Sequence, residues 1–144
     1  MTGGIEGADR ALPAARQLVG GPHLAVLATA NADGSAQMSV IFVKLDGDDI
    51  LFSTIEGRRK TANMIRDPRA TLLLHSLAAS ATDSAYATVS GPVDVTDDPD
   101  GAFHQVMYGQ YMGGATPPDE PGARRLVVRL HPRHAYAALP FAAQ

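Results

Sequence analysis

The residues with the clearest potential for chemistry are two hydroxyls, a glycine and three cations in one short segment. Ser53 and Thr54 come first, Gly57 follows, and Arg58-Arg59-Lys60 comes directly after it. Hydroxyl groups, the free N–H groups at a helix start and cationic side chains are the donors that bind phosphate oxygens. Arginine offers a two-pronged fork, whereas lysine acts as a point charge. This spacing predicts a binding site for a ligand that carries a phosphate.

The three cations have a second interpretation, as the solvated start of a helix. Cations at a helix N-terminus oppose its dipole, so helix stability alone does not favour them there. Five of the twelve basic residues fall within twelve consecutive positions that begin at Arg58, and no further one occurs until Arg124. A single cationic region on a chain of net charge −3 suits a small anion better than a nucleic-acid backbone. Nucleic-acid binding is therefore not expected.

Other chemistry finds little support in the residue pattern. The chain has no cysteine, so disulfides and thiolate metal ligands are excluded. His131 and His134 are three residues apart, but Pro132 lies between them and no third ligand is near in sequence. We expect no metal site and assign no catalytic acid, base or nucleophile. His104 is kept as a candidate contact for a substrate.

Length and composition indicate a single globular domain over residues 1–144. Apolar residues make up 45% of the chain and charged residues 19%, a balance typical of a packed core. No apolar segment approaches the roughly 20 residues that cross a bilayer, and the N-terminus has no signal-peptide pattern. The protein is expected to be cytoplasmic, with no membrane partner.

Hydrophobic alternation and turn residues predict a mainly β fold, with strands joined by short polar turns. Such strands form an antiparallel meander rather than a dinucleotide-binding unit. We expect a six- to seven-stranded antiparallel barrel with a few short helices. The predicted elements are a helix over Ala8–Val19 ended by Gly20-Gly21-Pro22, strands over His23–Ala30, Ala36–Leu45 and Ile50–Ile55, a helix over Arg58–Arg66, strands over Arg69–Ser76 and Tyr86–Val95 around a loop at Leu77–Ser84, a helix from Asp97-Asp98-Pro99-Asp100 to about Met112, and strands over Arg125–Leu130 and Ala135–Leu139.

Three segments together resemble a known family. They are Leu-Ala-Thr-Ala-Asn-Ala-Asp-Gly-Ser-Ala-Gln-Met-Ser (27–39), Phe-Ser-Thr-x-x-Gly-Arg-Arg-Lys-x-x-Asn (52–63) and Arg-Asp-Pro-Arg-Ala (66–70). The pattern is similar to the pyridoxamine 5′-phosphate oxidase-like split β-barrels, and more narrowly to their branch that uses the deazaflavin coenzyme F420. The resemblance covers 23–91 well and the closing strands more loosely.

The resemblance implies a homodimer with two cofactor sites at the subunit interface. Gln37, Met38 and Ser39 match the stretch that lines the cofactor ring in that family. The residues that match its phosphate-binding stretch are Ser53, Thr54, Arg58, Arg59 and Lys60. Tyr86 matches a position near the ring across the interface; an ordinary interfacial tyrosine is the other interpretation. The implied reaction is hydride transfer between the cofactor and a small conjugated organic substrate, in which the protein supplies binding and orientation.

The choice of cofactor rests on finer features. The paired arginines beside Lys60 look more like the F420 branch, whose cofactor also has an anionic tail. Residues 101–122 contain no cation for a substrate phosphate, which argues against pyridoxamine phosphate oxidation. FMN stays as the alternative cofactor, with an FMN-dependent reductase or oxidase as the alternative enzyme. A non-catalytic carrier of a cofactor or tetrapyrrole is the third hypothesis.

Overall fold

The computed structural model describes residues 4–6, 8–19, 23–76 and 84–138, with side chains from residue 12 onward. A short 3-10 turn, Pro99–Gly101, precedes the third helix. The elements in chain order are β1 (Gly4–Glu6), α1 (Ala8–Leu18), β2 (His23–Ala30), β3 (Ala36–Asp46), β4 (Asp49–Ile55), α2 (Arg59–Arg66), β5 (Arg69–Ser76), β6 (Ala85–Asp97), α3 (Ala102–Tyr111), β7 (Arg125–Leu130) and β8 (His134–Ala138).

Six strands close into an antiparallel barrel in the order β6-β5-β2-β3-β4-β7, because β7 pairs with both β4 and β6. Two strands, β3 and β6, each pair with one neighbour over part of their length and with another over the rest. β3 pairs with β2 over its first part and with β4 at its end, and β6 pairs with β8 first and with β7 later. β1 extends the sheet by pairing with β8. The expected split β-barrel is confirmed.

The core lies inside the barrel and follows from strand alternation. Residues at every second position of β2, β4, β5 and β6 point inward and are buried, as a two-residue side-chain period requires. α1 covers part of the barrel and adds Ala15 and Val19 to the core. Fully buried members are Leu27, Phe52, Leu72, Leu74, Val89, Val128 and Leu130.

β7 and β8 run along the same edge of β6 as one strand interrupted by a bulge. Leu130 pairs with Val93 and His134 pairs with Ser90, so four steps on one strand match three on the other. Gly91 lies under this bulge, where a Cβ atom would stand 1.9 Å from the carbonyl oxygen of His131. The bulge therefore requires glycine at position 91.

The expected elements agree with the structure to within two residues at each end that it describes, except at the start of the third helix. There α3 begins at Ala102 and not within 97–100, because a 3-10 turn with Asp100 at a positive φ of 58° precedes it. β5 and β7 have the expected bounds, and β6 is longer at both ends. β1 was not expected. The end of the first helix at Gly20-Gly21-Pro22, most of the Leu77–Ser84 loop and the end of the last strand at Leu139 lie outside the described residues. No helix in the described part of the chain has the length and apolar character needed to cross a membrane.

Candidate functional site

The chain turns from β4 into α2 at Gly57, whose φ of 94° lies in the left-handed region that favours glycine. Arg58 follows in an extended conformation, and α2 begins at Arg59 without a side-chain cap. The first turn of α2 contains no acidic residue. This open helix start leaves N–H groups without side-chain acceptors, which is the condition for binding an anion.

Ser53 and Thr54 precede this turn on β4, and their side chains leave the strand on opposite faces. The Oγ of Ser53 is covered from solvent and has no hydrogen-bond partner among the described residues. Thr54 is buried, and its Oγ1 lies 2.7 Å from that of Thr61, which in turn donates to the carbonyl of Ile55 at 2.8 Å. Ser53 can therefore serve a ligand, whereas the hydroxyl of Thr54 holds α2 against β4. Both hydroxyls were predicted to face a phosphate, but Thr54 does not line the cleft next to Ser53 and is bonded to Thr61 instead.

A cleft of about 350 Å³ lies outside this part of the barrel, between α2, α3 and the loop that leads to β7. We call it the α2–α3 cleft. Its lining combines apolar and polar side chains. The apolar residues are Leu24, Val40, Ile41, Phe42, Met107, Tyr108 and Pro118, and the polar ones are Ser53, Arg58, Lys60, His104, Glu120 and Arg125.

Lys60 and Arg58 bring positive charge into the α2–α3 cleft. Burial, followed by the nearby Arg58 guanidinium, lowers the pKa of the Lys60 ammonium. Its Nζ donates a long hydrogen bond of 3.4 Å to the Oγ of Ser39. Among the residues that the structure describes, no carboxylate lies within 4.0 Å of either cation. Two cations without a counter-ion beside an unpaired hydroxyl form a site that a phosphate would satisfy.

Arg59 takes a different direction from its two neighbours. It is exposed and does not line the α2–α3 cleft. Its charge acts on Asp33 in the β2–β3 turn, whose pKa is lowered first by hydrogen bonds from Ser35 and, to a smaller extent, by Arg59. The structure thus brings Arg58 and Lys60 together and leaves Arg59 outside the cleft.

Asn63, the last residue of the quoted motif around Lys60, fixes α2 to the barrel. It is 2% exposed, and its Nδ2 donates to Thr29 Oγ1 at 3.1 Å and Asn31 Oδ1 at 2.9 Å. Its Oδ1 accepts from Arg66 at 3.1 Å, and Arg66 also donates to the carbonyl of Ala30. This buried network holds one turn of α2 in place and, with it, the position of Lys60.

α3 forms the opposite wall and is anchored at both ends. The buried carboxylate of Asp98 accepts from the backbone N–H groups of Phe103 at 2.9 Å and His104 at 3.0 Å, as a capping aspartate does. At the other end the Tyr111 hydroxyl donates to the carbonyl of Val43 at 2.7 Å. Its ring stacks on Phe42 with centroids 3.9 Å apart. The wall is therefore tied to β3, which also lines the cleft.

Three polar residues of the cleft come from outside the predicted phosphate-binding segment. His104 lies on α3, and its Nε2 is buried without a hydrogen-bond partner in the described structure. Arg125 begins β7, and Glu120 precedes it in the loop. The sequence offered no signal for the last two, because they reach the cleft only through the pairing of β7 with β4.

The sequence model of the pyridoxamine 5′-phosphate oxidase family matches residues 11–138, which include all of the α2–α3 cleft. The chain belongs to the pyridoxamine 5′-phosphate oxidase family. This confirms the family that the three sequence segments indicated. No curated protein sequence matches the chain.

Solved structures of the same fold include proteins with different described roles. An F420 reductase shares 26% identity, with a TM-score of 0.73 over 83% of this chain and 94% of that one. A conserved hypothetical protein from Mycobacterium tuberculosis shares 22% identity, with a TM-score of 0.67 over 83% and 78% of the two chains. A heme binding protein from Mycobacterium smegmatis shares 19%, with a TM-score of 0.63 over 83% and 50%. The last two show a common fold alone.

In this member of the pyridoxamine 5′-phosphate oxidase family, Met38 and Tyr86 lie on the outer face of the sheet and Gln37 does not. Met38 points outward and is 62% exposed. Gln37 turns the other way and accepts a hydrogen bond from Thr29 at 3.3 Å. Tyr86 is on β6, 42% exposed, with its ring 6.1 Å from that of Tyr136. Gln37, Met38 and Tyr86 do not line the α2–α3 cleft within one chain.

Proposed function

We propose that this family member is an oxidoreductase that uses coenzyme F420, with the cofactor phosphate bound in the α2–α3 cleft. The observation that carries the proposal is the buried, unpartnered hydroxyl of Ser53 beside Arg58 and Lys60. A buried polar group without a partner costs free energy unless a ligand satisfies it. Two cations without counter-ions identify that ligand as an anion.

The donor set fits a phosphomonoester or phosphodiester. Arg58 can present two parallel N–H groups to two phosphate oxygens. Lys60 and Ser53 supply a point charge and a neutral donor. The apolar residues of the cleft, among them Leu24, Val40 and Phe42, offer a surface for the less polar part of a cofactor. When bound, the cofactor would supply hydride transfer to or from a small conjugated organic substrate.

Two features favour F420 over FMN as the cofactor. The F420 reductase of known structure is similar in fold over nearly its whole length at 26% identity. Arg59, outside the cleft and exposed to solvent, is available to the anionic tail that distinguishes F420 from FMN. FMN remains the alternative, since the same phosphate donors serve it, and a non-catalytic cofactor carrier would need no further residues.

We also propose that the functional unit is a homodimer formed through the outer face of β2, β3, β5 and β6. Leu24, Val40 and Met38 are 44%, 65% and 62% exposed. Strand register places Leu24 beside Phe42 and Val26 beside both Val40 and Leu73, so the apolar residues are contiguous. Contiguous exposed apolar surface of this kind marks an interface. A second copy on this face would bring Met38 and Tyr86 toward the cofactor.

Titration of the purified protein with oxidised F420 and with FMN, followed by quenching of cofactor fluorescence, tests the proposal. Micromolar binding of F420 with weaker binding of FMN supports it. The reverse order favours the FMN enzyme, and binding of neither cofactor refutes an oxidoreductase with this site. Sedimentation equilibrium of the wild type and of Val40→Asp tests the dimer, which the substituted carboxylate should dissociate.

A further inference from the structure

One wall of the α2–α3 cleft carries a cation that the β4–α2 segment does not supply. Arg125 pairs with Ile55 across β4 and β7, and Ser53 is two residues earlier on the same face of the strand. Side chains at such diagonal positions lie within reach of one long side chain. Arg125 is mostly buried, with 15% of its side chain exposed, and it lines the cleft together with Ser53 and Lys60.

The carboxylate of Glu120 forms an ion pair with the guanidinium of Arg125. An Nη2 of Arg125 donates to the Oε1 of Glu120. The same carboxylate oxygen lies 3.9 Å from the Nε2 of His104, the buried nitrogen that has no hydrogen-bond partner in the part of the chain described. Glu120 is the one carboxylate among the described residues that line the α2–α3 cleft, which Arg58 and Lys60 also line.

Like charges at short range repel strongly where water is partly excluded. A phosphate that enters the cleft meets the cations of Arg58 and Lys60 and also the negative charge of Glu120. It can gain the full guanidinium fork of Arg125 only if Nη2 of Arg125 releases Glu120. In this structure the Glu120 carboxylate therefore takes the place at Arg125 that a bound anion would take.

We propose that Arg125 is a third cationic ligand of the bound anion and that Glu120 is an internal counter-ion that the anion displaces. This inference rests on the proposed function, because both place an anionic cofactor group in the same cleft. Displacement is feasible in energy terms, since one charge-assisted contact is exchanged for another. It also exposes Nε2 of His104 to the anion, which provides the partner that this nitrogen lacks.

A purely structural ion pair makes the opposite prediction. If the Glu120–Arg125 pair only fastens the loop to β7, removing its charge lowers stability and leaves ligand affinity unchanged. If Glu120 competes with the ligand, removing its charge raises affinity. The two roles therefore differ in the sign of a binding effect.

Titrations with oxidised F420, and with FMN in parallel, at one fixed ionic strength test the inference. For Glu120→Gln we expect affinity to rise about three- to tenfold, and for Arg125→Gln to fall about tenfold. The gain from Glu120→Gln should be smaller in the Arg125→Gln background, because Glu120 then no longer competes for the guanidinium and only its repulsion of the phosphate is removed. Asp119→Asn removes the neighbouring loop charge outside the cleft and should change affinity by less than about twofold.

Unchanged or weaker binding by Glu120→Gln overturns the inference. The Lys60→Ala variant, titrated in the same series, shows whether the phosphate site itself exists. It therefore distinguishes a failure of this inference from a failure of the proposed function. If Lys60→Ala loses affinity and Glu120→Gln gains none, the phosphate site stands and Arg125 is not part of it. If neither cofactor binds the wild type, both proposals fall. Arg125→Lys, which keeps the charge but not the fork, replaces Arg125→Gln should that variant not fold.

Discussion

Ser53 and Thr54 are consecutive on β4, yet one hydroxyl lies without a partner beside the α2–α3 cleft and the other is bonded to Thr61 inside the barrel wall. Adjacent residues of a strand always face opposite sides. The two neighbouring hydroxyls therefore have different roles. Ser53 can donate to a ligand, and Thr54 fastens the helix that carries Lys60.

Substitution of these two hydroxyls should separate binding from stability. Ser53→Ala should weaken F420 binding about five- to tenfold without lowering the free energy of unfolding of the free protein, because it removes a buried hydroxyl that has no partner in the described structure. Thr54→Val, which keeps the shape, should lower the free energy of unfolding by about 1 kcal/mol. Fluorescence titration and urea denaturation measure the two quantities. Equal losses of stability in both variants would contradict this difference in roles.

The three adjacent cations should contribute unequally to phosphate binding. Lys60→Ala should cost about 2 kcal/mol, or about 30-fold in affinity for FMN or F420. Arg58→Ala should have a similar effect. Arg59→Ala should change FMN affinity by less than about twofold, because Arg59 lies outside the cleft and an exposed charge is screened.

Lys44→Ala provides the control for loss of one positive charge, since Lys44 is on β3 outside the cleft. Titration of all four variants with FMN uses a ligand that lacks the F420 tail. A loss for Arg59→Ala as large as that for Lys60→Ala would show that the phosphate lies on the other side of the helix start. An unchanged affinity for Lys60→Ala would remove the site from this cleft.

Local pattern was sufficient for much of the fold. β5 and β7 could be bounded from alternation and flanking turn residues, and residues 97–100 could be placed before a helix. The sequence did not predict β1, because its three residues, Gly4–Glu6, form a strand only by pairing with β8. No local signal marks a strand that short.

The candidate site shows where sequence reasoning stops. Strict strand alternation could have placed Thr54 inward, but the shared hydroxyl chemistry of Ser53 and Thr54 suggested a common role. Arg125 and Glu120 lie more than fifty residues after Lys60, and only the β4–β7 register brings them to the cleft. Register depends on tertiary packing and turn geometry, which residue type and spacing do not reveal.

Replacement of Gly91 should disrupt the seam between β6 and the β7–β8 bulge. A Cβ at this position would stand 1.9 Å from the carbonyl oxygen of His131, so Gly91→Ala should lower the free energy of unfolding by about 3 kcal/mol. Gly109→Ala is the matched control. Gly109 lies inside α3, and a Cβ there would be 3.9 Å from the carbonyl oxygen of Ala115, an ordinary contact distance. That variant should be neutral or more stable by up to about 1 kcal/mol. Urea denaturation of both compares them directly.

His131 should make stability depend on pH near neutrality. Its Nε2 lies 2.6 Å from Asp94 and its Nδ1 3.1 Å from Asp49, so the imidazolium bridges β6 and the start of β4. The hydrogen bond with Asp94, assisted by that with Asp49, raises the pKa of His131 against a smaller opposing effect of burial. A raised pKa in the folded state means that protonation stabilises the fold. This stabilisation is complete below the unfolded value of about 6.5 and is lost as pH rises through the folded pKa.

Because the histidine is partly exposed, the loss should amount to about 0.5 kcal/mol between pH 6 and pH 8.5. His131→Gln keeps a polar side chain but cannot titrate, so its stability should not show this fall. The quantity to compare is the difference in free energy of unfolding between wild type and variant at the two pH values, which cancels the other titrating groups. His134→Gln on β8 is the matched substitution, because it leaves His131 and its contacts with Asp49 and Asp94 in place. A difference between wild type and His131→Gln that grows with pH would contradict the role assigned to the imidazolium.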